Sequence, residues 1–300
     1  MPPKQKQKQK QKQKQKQKQK QKQKQNPKIQ ALNKLVQMIL RRKIEVRMKV
    51  NKHSPNAIKR IPRVFYLGLG KTGSSSLVNG FRNVNTAHWH CVGYFEKRYK
   101  TKLLTKYNLD LYDLIFFIGR KFKFKPVIIE AIREDIGLQL SLYFQHIKSN
   151  RGCSKDCPIC KIKTVNNILE LTAILKNKIL SKDEYKYPLC VEMFKNHFDK
   201  DILDEFNKDE NYYFYENEKC KFLLLKFETI KEWNNIIKNK IPYRFNLPYA
   251  NNTKHPKYKL IKSELKFTDE ELSKMYDNER FKHFYNDDEI EKFKNKYKDN

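Results

Sequence analysis

The sequence predicts an α/β protein in which helices cover both faces of a mostly parallel central sheet. Short apolar runs rich in β-branched and aromatic residues recur along the chain, at 64–69, 125–132 and 221–228. Longer segments with helical periodicity separate these runs, and such alternation is typical of parallel sheets. The chain has 300 residues, which is enough for one sizeable domain with a full core.

The N-terminal part of the chain has a different composition. Residues 4–25 alternate Lys and Gln strictly, so we expect residues 1–26 to be a disordered tail, because the tract has no apolar side chain to bury. Of the net charge of +32, twenty charges fall within the first sixty residues. The tail is either a solubilising extension or an electrostatic tether to nucleic acid or another polyanion.

The rest of the chain divides into a linker and a domain. Residues 27–60 are predicted as a basic linker that contains an amphipathic helix, because 29–48 has apolar residues at helical spacing that could pack on the domain. Residues 61–300 are predicted as the folded domain. Neither an apolar signal segment nor an apolar run of about 18 residues is visible, which leads us to expect a cytoplasmic protein.

The elements of the first half follow from hydrophobic patterns. VFYLGL at 64–69 is predicted as a buried strand, and 74–83 as the helix after it. A short second strand is expected within NVNTAHWHCVGYF, residues 83–95. The segment 109–120 has a mixed pattern that fits a helix.

The second half continues the same alternation. KPVIIEAI at 125–132 is predicted as a central strand, and Asp135 is placed to cap the helix after it. Further helices are expected in NNILELTAILKNKIL and NHFDKDILDEFN, followed by a strand, a turn and the strong strand at 221–228. Thr268 and Glu271 form a capping-box pattern that predicts a helix start in the C-terminal part.

The turn between the first strand and its helix has the composition of an anion site. It lies in RVFYLGLGKTGSSSLVNGF, where backbone N–H groups and the positive end of a helix point outward. A cation, hydroxyl groups and small residues suit a phosphate, and here they are Lys71, Thr72, Ser74, Ser75, Gly70 and Gly73.

A Walker A nucleotide loop is one interpretation of this turn. That motif requires G-x4-G-K-[ST], and Gly70, Lys71 and Thr72 match its end. However, Phe65 stands where the first glycine is needed, and we find no convincing apolar strand that ends in a magnesium-binding Asp. A P-loop kinase or NTPase is therefore the runner-up.

The turn resembles more closely the 5′-phosphosulfate loop of the sulfotransferases, whose form is Lys-[Ser/Thr]-Gly-[Ser/Thr]-[Ser/Thr] after a strand. This resemblance implies a P-loop-like sulfotransferase fold. It also implies that Lys71, Thr72, Gly73, Ser74 and Ser75 bind the 5′-phosphosulfate of the donor 3′-phosphoadenosine 5′-phosphosulfate, and that the chemistry needs no metal.

A second motif of that family is an Arg at the end of a strand with a Ser eight residues later. VIIEAIREDIGLQLSLYF supplies Arg133 and Ser141 at this spacing, which implies that they bind the 3′-phosphate of the donor. Arginine suits that role because its guanidinium forms charge-assisted bonds with phosphate oxygens. The sequence departs from many members at Asp135, where they have Pro, and at Leu138, where a second Arg is common.

The wider resemblance, over residues 62–298, is to the putative capsular polysaccharide synthesis proteins of this superfamily. The shared features are the Lys-Thr-Gly-Ser loop, a His-x-His element, FDKDILDEF, LLLKFE and the C-terminal part. The resemblance implies a carbohydrate hydroxyl as acceptor, and a structural role for Glu228. A non-enzymatic protein that binds anionic polymers on a decayed sulfotransferase fold is a further alternative.

The His-x-His element supplies candidates for the general base. Glycan 2-O-sulfotransferases carry a similar element, which implies that His88 and His90 are catalytic. On a strand, residues two apart face the same side, and an unperturbed histidine pKa of about 6.5 suits a base at neutral pH. We favour His90 as the base and His88 as the residue that positions the acceptor, although the order could be reversed. Two surface or core histidines, or half of a metal site, remain alternatives.

One group of cysteines has the spacing of zinc ligands. Cys153, Cys157 and Cys160 form a C-x3-C-x2-C pattern, for which the fourth ligand would be Cys190, Cys220 or His146. Unligated cysteines in a loop are the alternative, and without an export signal we expect reduced thiols.

Overall fold

A computed structural model describes residues 26–40, 61–68, 72–81, 84–89, 103–148, 167–181, 189–248 and 256–299. Several sequence predictions fall outside these ranges, namely the Lys-Gln tail, Gly70, Lys71, His90, Cys153, Cys157 and Cys160.

The described strands form one sheet of five strands in the order β2-β1-β3-β5-β4. Their bounds are β1 Val64–Leu67, β2 Thr86–Trp89, β3 Val127–Ile132, β4 Tyr212–Glu216 and β5 Lys221–Lys226. Neighbouring strands pair in parallel, except that β4 runs antiparallel to β5 at one edge. The predicted mostly parallel sheet is therefore confirmed.

Helices flank the sheet. Their bounds are α1 Pro27–Leu40, α2 Ser74–Gly80, α3 Leu103–Lys106, α4 Leu111–Phe122, α5 Asp135–Lys148, α6 Ile168–Leu180, α7 Leu189–Phe198, α8 Ile202–Glu205, α9 Trp233–Lys240, α10 Pro256–Glu264, α11 Asp269–Tyr276, α12 Glu279–Phe284 and α13 Asp287–Tyr297. A short 3-10 helix, Phe227–Thr229, follows β5. Within the described ranges, no helix is both long and apolar enough to span a membrane.

Each face of the sheet has its own apolar core. Side chains of α2 and α9 pack on one face, where Leu77 and Trp233 are fully buried against β1, β3 and β5. The larger core on the opposite face includes α1, α4, α5, α6 and the C-terminal helices. The expectation that residues 29–48 form a helix that packs on the domain is confirmed for α1, where Leu35, Val36 and Ile39 are buried.

The predicted helix starts are confirmed in one place and corrected in another. The Thr268–Glu271 capping box is present at the start of α11. The prediction that Asp135 caps α5 is wrong, because Asp135 is already the first residue of that helix. The carboxylate of Glu134 accepts the Gly137 N–H instead, so the cap lies one residue earlier.

Candidate functional site

The predicted phosphate loop and Arg133 follow two adjacent parallel strands. The chain leaves β1 toward β2 on one side, whereas β3 lies on the other side of β1. This arrangement is a topological switch point, and in open α/β sheets ligands bind in the crevice at the carboxyl ends of the strands there. The loop after β1 and Arg133 after β3 thus flank the expected crevice.

Gly73 is held where only glycine fits. It immediately precedes α2 with φ of 80° and ψ of 7°, a left-handed conformation that L side chains rarely adopt. A Cβ atom on Gly73 would lie 2.6 Å from a ring carbon of Trp233, which is fully buried. The Trp233 indole is fixed in turn, because its Nε1–H donates to the Lys226 carbonyl at 2.9 Å. The packing of α9 thus holds this part of the loop.

Phe227 connects the loop to Arg133. The guanidinium carbon of Arg133 lies 4.1 Å from the centre of the Phe227 ring, which is a close cation–π contact. The same ring has a carbon 3.5 Å from the Cβ position of Gly73, and its centre is 6.2 Å from that of Trp233. The sequence alone did not reveal the role of Phe227 or Trp233 at this site. Its one hint was that Phe227 directly precedes Glu228, a residue that the resemblance had singled out.

Thr72 is engaged by the strand that leads into the loop. The Tyr66 hydroxyl donates to the Thr72 carbonyl oxygen at 3.1 Å and forms a short hydrogen bond with the Thr72 hydroxyl. Burial of Tyr66 raises its pKa well above the ordinary value, so the phenol stays neutral. The Thr72 hydroxyl therefore contacts Tyr66, whereas Ser74 is buried and Ser75 is half-buried in the first turn of α2.

His88 lies next to the same tyrosine. It pairs with Tyr66 across β1 and β2, and the two ring centres are 5.3 Å apart at an angle of 65°. His88 is half-buried in β2, which ends at Trp89. One of the two predicted histidines is therefore adjacent to the residue that holds Thr72.

Glu134, which follows Arg133, is a buried carboxylate with many partners. Both of its oxygens accept the Gly137 N–H at 3.0 Å, and Oε1 also accepts from Tyr297 at 2.9 Å and from Lys296 at 3.2 Å. The hydroxyl of Tyr276 donates to Oε2 at 3.1 Å. Burial alone would raise the pKa of Glu134, but the charge of Lys296, the Gly137 N–H and the charge of Arg133 hold it below the ordinary value.

Glu228, after β5, links this cluster to the sheet. Its Oε1 accepts the backbone N–H of Glu134 at 2.9 Å, and its Oε2 accepts the Tyr285 hydroxyl at 3.0 Å. Burial, together with the negative charge of Glu134, raises the pKa of Glu228 to about 7. Through these contacts Glu228 joins the end of β5 to Glu134 and to Tyr285.

Ser141 and Cys220 are both buried. Ser141 lies in α5, eight residues after the half-buried Arg133. Cys220 has a free thiol whose pKa burial raises to about 12, which disfavours the thiolate that zinc requires. The predicted C-x3-C-x2-C zinc ligands lie outside the described residues.

Elsewhere in the described chain, one group of side chains has the composition of a metal site: Asp110, Asp113 and His197. Asp110 and Asp113 form the capping box at the start of α4, and each accepts a backbone N–H of the other. The second oxygen of Asp110 is 2.7 Å from His197 Nε2. Helix capping and an Asp–His contact account for this group.

Comparisons with known proteins give no relative for this chain. No family model matches the sequence, and neither the curated proteins nor the solved structures contain a significant match.

Proposed function

We propose that this protein is a sulfotransferase that moves a sulfonyl group from 3′-phosphoadenosine 5′-phosphosulfate to a hydroxyl of a carbohydrate. The observation that carries the proposal is the position of Phe227 between Gly73 and Arg133. A donor with phosphates at both the 5′ and 3′ positions needs two anion sites a short distance apart. In this proposal, the loop before α2 and the guanidinium of Arg133 are these two sites, beside the switch point.

The residues present fit this donor in part. Gly73 takes a left-handed conformation immediately before α2, and the half-buried Arg133 lies with its guanidinium against an aromatic ring. The Thr72 hydroxyl is bonded to Tyr66, so in this proposal Thr72 contributes through its backbone, and the side-chain hydroxyl at the donor comes from Ser75. Ser141 accompanies Arg133 at the 3′-phosphate.

The chemistry requires two functions from the protein. Charge that builds up on the leaving phosphate must be neutralised, which is the role proposed for Lys71. The acceptor hydroxyl must lose its proton, which is the role proposed for His90, with His88 positioning the acceptor. The contact of His88 with Tyr66, which itself bonds to Thr72, supports a role of this histidine near the loop. The basic tail is not needed for either step and is proposed to contact polyanions.

Ligand-dependent thermal unfolding of the full chain tests the proposal against its rivals, because a ligand that binds only the folded state raises Tm. Stabilisation by 3′,5′-diphosphoadenosine supports the sulfotransferase, and stabilisation by Mg-ATP alone supports a P-loop kinase or NTPase. Stabilisation by neither, with binding to polyanions, supports the non-enzymatic alternative. Transfer of labelled sulfate to a panel of glycans then identifies the acceptor.

A further inference from the structure

The C-terminal helices contact the segment that carries Arg133. Tyr276 ends α11, Tyr297 ends α13, and Lys296 precedes Tyr297. All three donate to the carboxylate of Glu134, although they lie 142 to 163 residues farther along the chain. Glu134, a residue that is 3% exposed, therefore joins the C-terminal helices to the carboxyl end of β3.

The conformation of residues 133 and 134 is fixed from three directions. Glu228 accepts the Glu134 N–H from the side of β5, and Gly137 donates to the Glu134 carboxylate from α5. The third direction is that of the C-terminal helices, from which Tyr276, Tyr297 and Lys296 donate to the Glu134 carboxylate. The bond at the Glu134 N–H fixes the peptide that joins Arg133 to Glu134, and therefore constrains the direction of the Arg133 side chain.

Gly137 makes this arrangement possible. A Cβ atom on Gly137 would lie 2.3 Å from Glu134 Oε1 and 3.3 Å from a guanidinium nitrogen of Arg133. The bare Cα thus leaves room for the carboxylate and the guanidinium together. The carboxylate faces Arg133 and Lys296, so its charge is compensated by two cations.

We infer that Glu134 is a positioning residue, through which the C-terminal helices fix Arg133 in the orientation that recognises a 3′-phosphate. This inference rests on the proposed function. If the inference is correct, the nucleotide site depends on α11 and α13, although both helices lie far along the chain from the strands β1 and β3. Loss of a bond to Glu134 should therefore reduce recognition of the 3′-phosphate selectively.

The test compares the affinity of the full chain for 3′,5′-diphosphoadenosine with its affinity for adenosine 5′-monophosphate. Tyr297→Phe removes one bond to Glu134, and Glu134→Gln removes the charge beside Arg133. In both variants we expect the ratio of the two affinities to fall by roughly 3- to 10-fold, the scale of one ordinary hydrogen bond, because the bonded group acts on the nucleotide only through Arg133. Tyr213→Phe is the matched control, because Tyr213 donates to Glu205 at 2.5 Å without contacting Glu134.

The outcomes separate this inference from the proposed function. A wild-type protein that does not prefer the 3′-phosphorylated nucleotide overturns the proposed function and this inference with it. A wild-type preference that persists unchanged in Tyr297→Phe and Glu134→Gln overturns this inference alone. Variants with a lower Tm but an unchanged ratio of the two affinities also overturn this inference, because that is the result expected if Glu134 only stabilises the fold. If Glu134→Gln does not fold, Tyr276→Phe, which removes only the bond to Oε2, takes its place under the same criteria.

Discussion

The guanidinium of Arg133 lies on the ring of Phe227, with its central carbon 4.1 Å from the ring centre. The contact holds a cation at the carboxyl end of β3, where we propose that it binds an anion. Because Phe227 also reaches the Gly73 position, the same ring sets the distance between Arg133 and the loop.

Arg133→Ala should weaken binding of 3′,5′-diphosphoadenosine by about 1.5–3 kcal/mol, the range for hydrogen bonds to charged groups. Binding of adenosine 5′-monophosphate should barely change, because that nucleotide has no 3′-phosphate. Isothermal titration calorimetry of wild type and Arg133→Ala with each nucleotide measures the two losses of affinity. Equal losses for the two would refute the assignment of Arg133 to the 3′-phosphate.

Gly73→Ala should lower the free energy of unfolding by about 2 kcal/mol or more. The left-handed conformation costs an L residue about 1–2 kcal/mol, and overlap with the Trp233 ring adds to this cost. Ser75→Ala, two residues later in α2, is the control and should change stability little. Denaturant unfolding of the three proteins checks this, and a fully stable Gly73→Ala would show that the loop is not held by Trp233.

Stability should depend on pH through Glu228. Its pKa in the folded protein is about 7, above the ordinary value of 4.5, so the folded state binds the proton more tightly than the unfolded state. This stabilisation is fully present below pH 4.5 and is lost as the pH rises through 7, and its size is on the order of 1–3 kcal/mol.

Glu228→Gln should remove that component of the pH dependence while it keeps an acceptor for the Tyr285 hydroxyl. Denaturant midpoints at pH 5 and pH 8, compared between wild type and variant, give the measurement. Glu134 behaves in the opposite way. Its pKa is lower in the folded protein than in the unfolded chain, so the stability that it contributes is present at neutral pH and is lost as the pH falls into the acid range. If the denaturant midpoints of wild type and Glu228→Gln differ by the same amount at pH 5 and at pH 8, Glu228 does not titrate in this range.

His90→Ala should reduce turnover by roughly 10²–10⁴-fold while donor binding stays intact, because a general base contacts the acceptor rather than the nucleotide. His88→Ala should be milder and should raise KM for the acceptor. Steady-state kinetics over pH 5–9 would also show the acid limb of kcat/KM vanish or move in the variant that lacks the base. Full wild-type turnover in His90→Ala would disprove its role, whereas an essential His88 would exchange the two assignments.

Deletion of residues 1–26 should leave the affinity for 3′,5′-diphosphoadenosine unchanged. The Lys-Gln tract has no apolar residue with which to pack on the domain. Titration of the truncated and the full chain at physiological ionic strength tests this. A large loss of affinity would mean that the lysines contribute to the nucleotide site.

Local pattern was enough to predict most elements of the fold. The strands β1, β3 and β5 are apolar runs, and nearly all of their residues are buried. The Thr268–Glu271 box needs only residues three apart, so the sequence contains the whole interaction. Strand and helix ends were less well predicted. The strand expected at 221–228 ends at Lys226, because the chain turns into a 3-10 helix at Phe227.

The sequence by itself determined that a glycine- and hydroxyl-rich turn follows one buried strand and that an arginine follows another. It could not determine that these strands are neighbours, since strand order depends on how the helices pack on each face. Only the tertiary structure placed Phe227 between Gly73 and Arg133 and brought Tyr276 and Tyr297 to Glu134. These contacts join residues far apart in the chain, so local patterns do not reveal them. The contacts at Glu134 form because a buried carboxylate is stable only with hydrogen-bond donors around it. The contacts at Phe227 form because its ring packs against Trp233 and under the Arg133 guanidinium.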